Sequence, residues 1–138
     1  MLCEGSGVPI GLAVDGANRH DQKLLRATLQ SIPFARPQPS ADAPQGLCLD
    51  KGYDCEPIRE LAAEFGFTAH IRARGEEAQR LKREAGYKAR RWVVERTHSW
   101  MNRFRYILIR WNKKPENYIA LLHFVMAFIA YRRAGVFG

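Results

Sequence analysis

A chain of 138 residues, 46% of them hydrophobic, is long enough for one domain or a large piece of one, and too apolar for a disordered segment. Its net charge of +8 and isoelectric point of about 9.8 argue for a polyanionic partner, nucleic acid before membrane. The most apolar stretch, Tyr118 to Tyr131, is shorter than the roughly twenty residues of a membrane crossing, and Met1 to Val8 lack the basic start and apolar run of a signal peptide.

Leu2 to Glu4 and Pro9 to Val14 flank Gly5-Ser6-Gly7, which reads as a β-hairpin turned by glycine. The first strand looks cut short, so the domain is expected to begin upstream of Met1. Asn18 or Asp21 is placed to cap a helix in which Leu24, Leu25, Thr28, Leu29 and Ile32 recur at helical spacing. Pro33 ends it. Residues 33–45 hold four prolines and read as a surface loop. Gly46 to Leu49 is a short apolar strand suited to the centre of a sheet. Cys48 within it reads as a small core residue. Lys51 to Asp54 forms a turn, with Asp54 as cap of a helix that Pro57 opens and Gly66 stops. Thr68 to Arg72 is a second strand, and Gly75 to Gly86 a charged loop or helix. A long helix runs from Tyr87 to Arg105 or beyond, its apolar stripe made by Val93, Thr97, Trp100, Met101, Phe104 and Leu108. Arg91, Glu95, His98 and Asn102 fall on a different face. A packing helix over 117–133 closes the chain. Strands alternating with helices predict a mixed α/β sheet flanked by helices.

The charge is concentrated. Residues 72–114 carry fourteen Lys/Arg against four Glu, a net of +10, which leaves the remainder of the chain at −2. A solvated basic face is the plain reading of such a run. A phosphate-binding surface is the other. Arg90, Arg96, Arg103, Arg105, Arg110, Lys113 and Lys114 are the phosphate candidates within it, and Lys51 joins them from the turn after the first apolar strand. Trp92 and Trp111 are candidates to stack on bases, and Trp100 belongs with the core. Cys3, Cys48 and Cys55 form no CxxC pair and no disulfide framework, as in a reducing, cytoplasmic setting. Cys48 and Cys55 with a histidine match no standard zinc spacing.

Two acids stand out against this background. Asp50 closes the apolar strand, and Glu95 interrupts the run of positive charge. Strand-end Asp is usually a turn or cap residue, and Glu amid Arg is usually an ion pair. Carboxylates at a strand end and on an adjoining helix are also what two-metal phosphodiester cleavage requires, around cations roughly 4 Å apart. Mg²⁺ suits oxygen ligands of that kind.

The surrounding words are more specific. Leu49-Asp50-Lys51-Gly52-Tyr53-Asp54, then Arg91-Trp92-Val93-Val94-Glu95-Arg96 continuing to Arg105, and the earlier Gly11 to Asp21, resemble the insertion-sequence transposases with a DDE triad. The resemblance covers nearly the whole chain. It implies a ribonuclease-H-like fold lacking its first strand, Mg²⁺ or Mn²⁺ as cofactor, and double-stranded DNA at element ends and target as substrate. It implies cutting and strand transfer by a nucleoid-associated protein, as a homo-oligomer or with an upstream transposase segment. Asp50 matches the second acid of the triad and Glu95 the third, both metal ligands. Arg91 matches the arginine one turn before that Glu, which contacts phosphate or orients the carboxylate. The first acid falls before Leu2, and Asp15 is a weak substitute. Lys88 stands where some relatives carry Tyr, with Tyr87 beside it, and Asn102 where some carry Lys, with Arg103 next. Residues 1–138 are thus expected to be part of a catalytic domain. The alternative is a non-catalytic DNA-binding remnant that competes with a full transposase, and a simple nuclease on the same fold is a third reading.

Overall fold

The computed structural model describes residues 1–71 and 92–135. The chain opens with a hairpin in which β1 (Leu2–Cys3) pairs antiparallel with β2 (Pro9–Gly11), Leu2 opposite Gly11 and Cys3 opposite Pro9. Glu4 closes the loop between them. Its carboxylate accepts from the Ser6 amide at 2.8 Å, from the Ser6 hydroxyl and from the Val8 amide at 3.0 Å. Burial pushes this carboxyl up, but those bonds and the charge of Arg133 outweigh it and hold Glu4 below the usual carboxylate range. Gly7 takes φ +90° there, a region closed to most side chains. The second strand stops at Gly11, short of the expected Val14, because the Leu12 amide turns to donate to the Ser31 hydroxyl at 2.7 Å.

A 3-10 turn (Asp21–Leu24) leads into α1 (Leu25–Gln30). Neither Asn18 nor Asp21 caps it; the preceding residue is His20, which makes no side-chain cap. Strand β3 (Gly46–Leu49) pairs parallel with β4 (Thr68–Ile71), Gly46 opposite Thr68 through Leu49 opposite Ile71. The crossover is α2 (Glu56–Glu64), with Pro57 in its first turn. Cys55, not Asp54, precedes that helix, and Asp54 instead pairs with Arg59 at 2.6 Å. Gly66, at φ +74°, ends it as expected.

The fold is mixed α/β, with a departure from a single sheet. The described strands form two separate two-stranded sheets, and β3 has β4 as its neighbour. Among the described residues β3 thus has a neighbour on one side only, and of its four residues Leu47 alone is buried. Cys48 is exposed rather than in the core.

Two apolar clusters hold the chain. Leu25, Leu29, Leu47, Ile58, Leu61 and Ala62 form the first, with Leu2 packed against it. Met101, Ile107, Leu122, Val125 and Ile129 form the second, with Met1 and Leu12 against it. Leu2 packs on the first cluster and the preceding Met1 on the second, so the start of the hairpin lies between them.

The second cluster is built by α3 (Trp92–Met101), α4 (Arg105–Leu108) and α5 (Pro115–Arg133). The expected helix through Arg105 breaks after Met101. Phe104 is extended and packs edge-on against Phe128, ring centroids 5.7 Å apart. Leu108 consequently leaves the stripe and is exposed. Among the described residues no helix is long and apolar enough to cross a membrane.

Thr97 fastens α3 to the hairpin. It is wholly buried, and its hydroxyl lies 2.6 Å from the Gly7 carbonyl and 3.1 Å from that of Val93. Thr97→Val keeps the shape and strands the Gly7 carbonyl. A loss of about 1–3 kcal/mol is expected, read as a lower urea midpoint at unchanged slope.

Candidate active site

The parallel pairing of β3 with β4 delivers Asp50 to the strand's exit, where the chain turns into a 3-10 segment (Lys51–Tyr53). Asp50 Oδ1 accepts from the Gly52 amide at 2.9 Å, so the carboxylate fixes the turn that follows it. Among the described residues Oδ2 carries no such bond. Both Asp50 and Lys51 are exposed. The turn is held from outside as well, since the Gln22 side-chain amide donates to the Gly52 carbonyl. Tyr53 lies beneath it, half-buried. Burial, then the charges of Asp21 and Asp50, push its phenol up. Asp21, Asp50 and Tyr53 thus share one electrostatic neighbourhood.

Glu95 is placed by a different element. It lies in the first turn of α3, exposed, on the side that also carries exposed His98 and Asn102. The opposite side buries Thr97 and Met101. The expected separation of a polar face from an apolar stripe therefore holds in the described part of the helix. An acidic side chain in a helix's first turn is also favoured by the helix dipole.

The basic candidates divide. Arg96 is turned inward: its guanidinium donates to the Ser6 carbonyl at 3.2 Å and stacks 3.8 Å above the Trp92 ring, with Trp100 at 5.8 Å. Arg103, Arg105, Arg110, Lys113 and Lys114 are exposed. Arg110 bonds the Asn112 carbonyl at 3.2 Å and lies over the Tyr118 ring. Arg90 and Arg91 fall outside the described residues, as do Tyr87 and Lys88.

The chemistry of Asp50 and Glu95 fits a hard divalent cation, both being exposed oxygen donors. The set they make is incomplete. Among the described residues no three His, Cys, Asp or Glu side chains converge to hold a metal ion. Asp50 rides on the first apolar cluster and Glu95 on the second, with the hairpin between. Gln22 and Tyr53, which hold and flank the Asp50 turn, were not singled out from the sequence. No local pattern marks Gln22 for this role, since its partner lies thirty residues away.

A chain with a strand-end Asp, an exposed helical Glu and a basic surface belongs, by comparison with known families, to the Transposase DDE domain family, which it matches over residues 47–132. Both acids fall within that span. A curated relative, "Putative transposase for insertion sequence element IS402" of Burkholderia cepacia, is 30% identical over 124 residues, covering 88% of this chain and 56% of the relative. The chain thus spans about half the length of the relative it matches. No solved structure matches it.

Proposed function

We propose that this chain is the part of a DDE insertion-sequence transposase that supplies the second and third acids, Asp50 and Glu95, of a metal-dependent DNA cleavage and strand-transfer site. The observation that carries this is the family match across residues 47–132, which contains one acid at the exit of β3 and the other exposed on α3. A divalent cation, Mg²⁺ or Mn²⁺, bound by these carboxylates would activate the attacking oxygen and stabilise the leaving one. The first acid would come from a strand outside the described residues. Among the described residues the two pairs of strands are unconnected and leave edges on which such a strand would pair, completing a ribonuclease-H-like sheet. The same reading frame, a frameshifted fusion or a partner chain could provide it. Arg91 is assigned to orient Glu95 or hold phosphate, and the exposed residues Lys51, Arg103, Arg105, Arg110, Lys113 and Lys114, with Arg90, to position DNA. Arg96, already engaged with the hairpin, would act from a more fixed position.

The experiment is to express the chain joined to the coding sequence that precedes it and incubate it with element-end DNA and Mg²⁺. Joined products support the transposase reading; hydrolysis without joining points to a nuclease. DNA binding without either, together with no acid-bearing strand upstream, makes the chain a DNA-binding competitor.

Affinity is expected to fall steeply with salt in every case. Should six phosphates be contacted, a slope of about −5 in log K against log salt follows. Fluorescence anisotropy between 50 and 200 mM salt checks it, and a slope near zero would remove DNA as the partner.

A further inference from the structure

Beyond the acids, the segment Arg103 to Lys114 has a composition and a shape that positioning phosphate does not require. It contains five basic residues and no acidic one. It is firmly seated: Ile107 is buried in the second cluster, and the Tyr118 hydroxyl donates to the Ile107 carbonyl at 3.1 Å. Yet Tyr106, Leu108, Ile109 and Trp111 all face outward, Tyr106 at 72% and Trp111 at 70% exposure. Together with Arg105 they line one open hollow of about 530 Å³. Large apolar side chains gathered in this way mark a binding surface.

The charge decides what it binds. A second copy of this chain would bring the same positive segment to the interface, at a cost in repulsion. A DNA strand brings phosphates for Arg103, Arg105, Arg110, Lys113 and Lys114, and bases with flat faces for Tyr106 and Trp111. Paired bases keep those faces inside the duplex stack. We propose that this hollow receives unpaired nucleobases of DNA, by stacking on Tyr106 and Trp111 while the flanking cations hold the adjoining phosphates. The site would thus favour strands that are frayed, flipped or broken. This rests on DNA being the partner, as proposed above, and adds that the strand is locally unpaired.

The test uses the 138-residue chain and three fluorescein-labelled DNA probes of equal charge: a paired duplex, the same duplex with a central two-base mismatch, and a single strand. Tighter binding of the mismatched duplex than of the paired one is expected. Trp111→Ala should remove roughly tenfold of that preference and alter affinity for the paired duplex less than about twofold. Tyr106→Ala should act in the same direction, and Trp111→Phe should retain most of the preference. Both aromatic side chains are exposed, so circular dichroism should show the variants folded as the parent. Salt-sensitive binding of all probes with equal affinity, unmoved by Trp111→Ala, would overturn this inference and leave the DNA reading standing. Absence of binding to any probe would overturn both. Sedimentation as a dimer that Trp111→Ala dissociates would assign the hollow to a second copy instead.

Discussion

Alanine at either Asp50 or Glu95 is expected to lower Mg²⁺-dependent cutting by at least about 10³-fold, or ~4 kcal/mol in the barrier, in a protein completed by its upstream strand. DNA affinity should stay within roughly threefold, because phosphate contacts supply most of it. In the proposed site each acid would contribute oxygen ligands and negative charge, and among the described residues no three His, Cys, Asp or Glu side chains converge to hold a metal ion in its place. Asp50 also bonds the Gly52 amide, so its loss could act through the turn instead. Asp50→Asn separates the two. It retains an acceptor for Gly52 and discards the charge, and cutting should still collapse. Near-normal cutting by Asp50→Asn would make Asp50 a turn residue; near-normal cutting by Glu95→Ala would end the assignment of the third acid. Gel assays of cleaved and joined products, alongside anisotropy titrations, give both readouts.

Leu47→Ala is expected to cost on the order of 3 kcal/mol of stability, within the range for truncating a buried leucine. Leu47 is 3% exposed and is the one residue that β3 buries. It touches the side of the sheet covered by α1 and α2, whose Leu29, Ile58, Leu61 and Ala62 have no polar group to fill the gap. Urea denaturation followed by circular dichroism would register the loss. A change below about 1 kcal/mol would mean that the first cluster does not depend on β3 for its packing. Because Asp50 leaves from the end of this strand, the variant should also impair cutting in proportion to the strand's displacement, without approaching the effect of removing the carboxylate.

What was readable in advance follows from how local each signal is. The hairpin, the β3 strand, α2 with its proline start and its Gly66 stop all depend on neighbouring residues, and all form. The break after Met101 does not. The apolar spacing continues through Phe104 and Leu108, but Phe104 is drawn off by Phe128 on another helix, and no local pattern encodes that contact. An apolar run likewise says nothing about which of its faces will be covered, hence the exposed Cys48. Asp54 had the chemistry of a cap, and a nearby arginine took it. As for the candidate site, spacing alone placed Glu95, His98 and Asn102 together on the outer face of α3. The roles proposed for Asp50 and Glu95 rest on the words around them. The support that Gln22 gives the Asp50 turn joins segments far apart in the chain and depends on the tertiary fold.

The hairpin that lies between the two clusters has a thermodynamic consequence. Sites without shared partners contribute to stability independently, and sites in contact do not. Truncations in the α1–α2 cluster and in the α3–α5 cluster should therefore sum when combined. A change at Leu2 reaches the first and a change at Met1 the second, and because the two residues are adjacent in the chain they should show coupling energies with one another. The strand of two residues is thus where the chain's two halves exchange information, and where natural variation should be most constrained by pairs of residues rather than by single ones.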